Sequence, residues 1–155
     1  MRVKIMIALS VIVLVILNYA VYDKEQIIEN GETVLLELAP ADPRSLIQGD
    51  YMRLRYEIER IFTGNTTIPE AKSSHLIIKP NTQRIAVFQR FDDGTPLSDD
   101  EKRLYYHLKY GRIRIVPDSF FFQEGHADKY NNAKYGVFKF DDKGNHILVG
   151  LVDQP

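Results

Sequence analysis

The chain has 155 residues, a formal net charge of −1, and neither cysteine nor tryptophan. That length suits one domain with at most a short appendage. The near-neutral balance supplies no global basic field for nucleic acid, and the missing cysteines exclude a disulfide framework, a thiolate zinc site, a cysteine nucleophile and a lipoprotein anchor.

Apolarity and charge are unevenly spread. The first 22 positions hold 18 apolar residues, two bases and no acid, whereas residues 23–155 carry 18 bases against 21 acids. Between Ile5 and Val21 the clearly polar residues are Ser10 and Asn18. A helix over that run is roughly 26 Å long, close to the thickness of a bilayer's hydrocarbon core. Lys4 can snorkel at one end, and Tyr19 and Tyr22 suit the interface at the other. Arg2 and Lys4 before the run, with Asp23 and Glu25 after it, predict an N-terminus in the cytoplasm and an exported body. The run is longer than a signal-peptide core, and Asn18-Tyr19-Ala20 is a poor cleavage site. Residues 1–22 are therefore expected to be an uncleaved, single-pass anchor in the cytoplasmic (inner) membrane, meeting the lipid bilayer through residues 5–21. Residues 23–32 read as a polar connector ending at the turn-forming pair Asn30-Gly31.

Residues 33–153 read as an extracytoplasmic β-rich domain. A first strand is predicted over Thr33–Leu38, ended by Pro40 and Pro43. From Asp50 to Glu59 the alternation is strict: Met52, Leu54, Tyr56 and Ile58 face one way, Arg53, Arg55, Glu57 and Glu59 the other. That pattern predicts a half-buried strand with a charged solvent face. Further strands are predicted at His75–Lys79, Arg84–Phe91, Arg112–Val116, Ser119–Gln123, Tyr135–Phe140 and His146–Val152, the last two joined by a hairpin loop over Asp141–Asn145. Ser98-Asp-Asp-Glu101 matches a capping box. With Leu104, Tyr105 and Leu108 it predicts a helix stopping at Gly111. A second short helix is predicted over His126–Lys134. The fold class is mainly β (α+β): one transmembrane helix, then a sandwich or small barrel with one or two short helices.

Gly49-Asp50-Tyr51-Met52-Arg53-Leu54-Arg55-Tyr56 fits G-D-Y-x-x-L-x-Y at all five specified positions. It resembles the signature of the GDYXXLXY family of bacterial membrane-anchored proteins, and Pro40–Leu46 and the Pro117–Gly136 stretch are similar to that family as well. The resemblance implies an anchored protein often encoded beside multi-span membrane proteins, with no established catalytic residue. The residues themselves say more. Gly49 permits positive φ at the turn into the strand, and Asp50 can accept loop amides or pair with Arg44. Leu54 and Tyr56 are expected in the core, and Tyr51 on the outer face. Turn chemistry alone accounts for Gly49, Asp50 and Tyr51. The sharper reading makes Tyr51, with Asp42, Arg44 and Asp50, a surface for a protein partner, since tyrosine and arginine are favoured interface anchors.

Other candidates are spread out. His75, His107, His126 and His146 show no metal-ligand spacing. The acids at 92–93 and 99–101 do not fit a calcium loop, and a turn and a helix start explain them. Of Phe120, Phe121 and Phe122, one ring is expected at the surface. No cofactor is implied. The anchor, Gly-Asp-Tyr entering a strand and Val116-Pro117 followed by aromatics also resemble bacterial signal peptidases. That likeness implies a Ser45 nucleophile and a Lys79 base. Yet Ser45 lacks the expected Met after it, Lys79 lacks the basic-aliphatic continuation, and Gln123-Glu124-Gly125 replaces Gly-Asp-Asn. The expectation is a non-enzymatic binding or accessory module docking onto a membrane-protein partner; a small-ligand-binding β-barrel is the further alternative.

Overall fold

The computed structural model describes residues 2–40, 51–62, 73–123 and 126–155. Helix α1 (Arg2–Asn30) is one apolar helix long enough, by length and composition, to cross a membrane. Its apolar side chains from Val3 to Tyr22 have no protein over them; Leu14 is 58% exposed. The polar segment after Tyr22, expected as a connector over residues 23–32, continues the helix to Asn30. Ile27 shows why: it is buried, which draws the last helical turns onto the body. Gly31 then donates its amide to the Ile27 carbonyl and ends the helix.

The body is β-rich, and its described residues form three sheets around one core. β1 (Glu32–Glu37), β8 (Tyr135–Phe140) and β9 (His146–Val152) form an antiparallel sheet in the order β1-β8-β9. A second sheet has the order β4-β3-β5-β6, from β3 (Ser73–Pro80), β4 (Ala86–Phe91), β5 (Lys102–Lys109) and β6 (Arg112–Ile115). Among the described residues, β2 (Tyr51–Arg53) pairs with β7 (Ser119–Phe121). Val34 and Leu36 from β1, Leu76 and Ile78 from β3, and Phe138 and Phe140 from β8 meet in the core. The β8–β9 hairpin has its predicted boundaries. Asp141 accepts the amides of Lys143 and Asn145, and Gly144 sits at φ +88°.

Three further expectations are corrected. The helix predicted after Ser98 is strand β5. Its capping pair does form, with Glu101 Oε2 accepting the Ser98 amide at 3.1 Å, but it closes a turn before a strand. Leu104 and Tyr106 are fully buried while Tyr105 between them is exposed, so period 2 governs there. β3, a run of buried Leu76, Ile77 and Ile78, needs partners on both edges, and β5 supplies one of them. The strand predicted to run to Glu59 is ordered as a strand only to Arg53. The chain then makes a bridge at Tyr56 and one helical turn, α2 (Glu57–Arg60). The helix predicted at 126–134 is a 3-10 turn over Ala127–Tyr130.

Candidate functional site

The motif strand is fastened to the segment between β6 and β7. Three successive carbonyls there are each met by a different donor. The His146 ring nitrogen Nε2 lies 3.1 Å from the Val116 oxygen, the Tyr56 hydroxyl donates to Pro117 at 2.8 Å, and the Leu54 amide donates to Asp118 at 2.8 Å. Leu54 and Tyr56 are buried, as the alternation predicts, and the Tyr56 ring packs edge-on against Phe138. Burial, with Glu59 and Asp118 nearby, raises the Tyr56 hydroxyl far above its ordinary range, so it stays a protonated donor. These two motif residues therefore build the scaffold.

Tyr51 is different. It is half-buried at the start of β2, opposite Phe121 in the register, and the two rings lie 5.7 Å apart. Phe121 is 73% exposed, while Phe120 and Phe122 turn inward onto Tyr130. The expectation that one ring of the triplet reaches the surface is met by Phe121. Asp42, Arg44, Gly49 and Asp50 lie outside the described residues.

Beside this aromatic pair runs a cleft of about 500 Å³, walled by Tyr51, Arg53 and Arg55 on one side and Lys109, Arg112 and Arg114 on the other. Arg53, Arg55, Lys109 and Arg112 are exposed, and none forms an ion pair among the described residues. The acids close by are Asp118 in the wall and Glu59 behind Arg114. The lip is the β5–β6 hairpin tip. Tyr110 and Gly111 there have φ of +53° and +71°, the two-residue turn form that favours Asn or Gly at the first position. A tyrosine occupies that position instead, 95% exposed. The cleft on the other side of Arg53–Arg55, about 700 Å³, mixes Glu37 and Asp153 with Lys134.

Sequence reasoning missed Glu59. Alternation placed it on the solvent face, but the switch to α2 turns its side chain inward. One carboxylate oxygen accepts from Arg114 at 2.8 Å and the other from the Ile115 amide at 3.0 Å. Burial still outweighs these contacts and holds the carboxyl above the usual range.

Neither enzyme chemistry nor an enclosed ligand site assembles from the described residues. They contain no group of three or more His, Asp or Glu able to hold a metal. Lys79 pairs with Asp100, which raises its ammonium, opposite to what a general base requires. Ser45 lies outside the described residues. The inward aromatics Tyr56, Phe138 and Phe140 are buried against one another and fill the space a barrel ligand would take.

A long apolar N-terminal helix, a β-rich body and a motif whose Leu54 and Tyr56 are built into its core describe the class. The chain belongs to the GDYXXLXY protein family, whose model matches residues 13–151. No curated protein and no solved structure matches it.

Proposed function

We propose that the protein is a membrane-anchored accessory module of the cell envelope. In this reading α1 spans the inner membrane once with its N-terminus in the cytoplasm. The β-rich body, a small sandwich, stands on the outer face and docks onto a membrane-protein partner through β2, β7 and the loop before them. The observation that carries the reading is the Tyr51–Phe121 pair, a half-buried tyrosine on the motif strand against an exposed phenylalanine, where the neighbouring Leu54 and Tyr56 are fully used by the core. Large rigid side chains of this kind are the usual anchors of protein interfaces. Tethering both proteins in one bilayer raises their effective concentration, so a small contact suffices.

Co-purification in detergent tests it. Wild-type protein should bring down a membrane protein that Tyr51→Ala and Phe121→Ser both lose while remaining folded. Recovery of the same partner by both variants would rule out docking through this face.

A further inference from the structure

The cleft has a charge that the rest of the body lacks. Residues 23–155 have an excess of acids, yet Arg53, Arg55, Lys109, Arg112 and Arg114 converge on one recess against Asp118 and the already-paired Glu59. Like charges this close repel one another, and Arg53, Arg55, Lys109 and Arg112 form no direct ion pair among the described residues, so Asp118 and the Glu59 charge felt by Arg55 offset the five cations only in part. Such a cluster is stabilised when an anion enters it. Guanidinium groups favour carboxylate or phosphate through paired, parallel hydrogen bonds.

We infer that this cleft receives an acidic stretch of the partner polypeptide, its carboxylates pairing with Arg53, Arg55, Lys109 and Arg112 and its chain covered by Tyr51 and Tyr110. The inference rests on the docking reading and names the chemistry of the partner. Three features favour a polypeptide. The cleft is of the size that takes a few side chains rather than a long polyanion. Aromatic rings flank it on both walls, the composition of protein interfaces. It also lies far from α1. Glu32 and Lys102, 2.8 Å apart, mark the helix-side ends of β1 and β5, while Arg55 bonds beyond the far end of β1 and Lys109 closes β5. The eight residues of β5 separate these ends by roughly 23 Å, more than twice the reach of surface electrostatics at physiological salt. The cleft thus lies away from the helix junction, where headgroups around α1 would be met first. The tyrosine at the left-handed turn position fits the same role, because it holds an aromatic ring out over the recess where Asn or Gly would fold more easily.

The test uses the full chain in detergent micelles and a fluorescent peptide of alternating Glu and Gly, with its Gln and Gly counterpart as control. Anisotropy should show saturable, salt-sensitive binding of the Glu peptide alone. Arg53→Ser combined with Arg112→Ser should weaken it roughly tenfold or more, the loss of two charge pairs. Tyr110→Asn, which suits the turn better, should weaken it several-fold without loss of fold. Lys79→Ser, a cation elsewhere on the surface, should leave it unchanged. Equal binding by wild type and the double variant would overturn the inference. So would tight binding of polyphosphate with none of the Glu peptide, which would assign the cleft to phosphate. No partner is present in this assay, so its failure leaves docking through Tyr51 and Phe121 standing, and a failed co-purification is read separately.

Discussion

Glu59 and Arg114 form an ion pair across the joint between α2 and β6, with the carboxylate 93% covered and the guanidinium half-buried. The same carboxylate accepts the Ile115 amide, so one side chain satisfies a strand's backbone and a neighbouring cation together. Because Arg114 also lines the cationic cleft, Glu59 fixes part of that wall from behind.

Removing Glu59 separates its two roles. Glu59→Ala leaves the Ile115 amide and the Arg114 guanidinium unsatisfied and should cost about 2 kcal/mol in urea unfolding. Glu59→Gln keeps an acceptor for the amide and should cost less than half of that. The folded protein holds the Glu59 proton more tightly than the unfolded chain does. This group's contribution to stability therefore falls as pH rises from 4.5 through its raised folded value, and Glu59→Gln should abolish that slope.

His146 predicts a slope of opposite sign. Burial beside Phe138 and Phe140 lowers its pKa below 6.5, more than the Val116 carbonyl raises it, so the neutral ring is the folded form. Its contribution is fully present above about pH 6.5 and is lost as pH falls through the lowered folded value. Thermal melts of wild type across that range should show the loss. His146→Phe, which keeps the aromatic packing and removes the titration, should show a flatter profile.

The signature residues should divide by measurement into structural and surface groups. Leu54→Ala empties a core site and should cost about 3 kcal/mol. Tyr56→Phe deprives the Pro117 carbonyl of its donor and should cost about 1–2 kcal/mol. Tyr51→Ala should stay within about 1 kcal/mol of wild type while losing the partner. Chemical denaturation of the three variants, compared with co-purification, checks the division.

Tyr110→Asn should raise stability by about 0.5–1 kcal/mol, because asparagine tolerates the left-handed backbone better than tyrosine. A rise in the melting midpoint together with weaker peptide binding is the expected pair of results.

How far the sequence revealed this protein depended on whether the deciding contact was local. β8 and β9 were legible because alternation, a glycine-containing loop and length agree within twenty residues. β5 was not, because Leu104, Tyr105 and Leu108 satisfy a helical period as well as Leu104, Tyr106 and Leu108 satisfy a strand. The buried neighbour β3 decides between them. Glu59 was misplaced by one change of secondary structure at Glu57, which swings inward a side chain that strand parity sends outward. The burial of Leu54 and Tyr56 was legible from alternation alone. The ring that meets Tyr51 was not, since Phe121 reaches it by strand pairing across seventy positions. The cleft was hidden for the same reason: Arg53 and Arg55 read as an ordinary solvated face until β6 brings Arg112 and Arg114 opposite them.

Gly31 joins α1 to β1 where a Cβ would collide with the carbonyls of Ile27 and Phe140, and Lys139 donates to its oxygen at 3.0 Å. Gly31→Ala should therefore loosen this joint, read as faster amide exchange at the start of β1 and the end of β8. A joint this close leaves no slack residue between the helix and the first strand. If α1 spans a bilayer as proposed, this joint would tie the height of the body above the lipid to the helix. On the proposed docking reading, the partner would then be met at one height, and lengthening α1 by one helical turn, about 5.4 Å, should weaken co-purification.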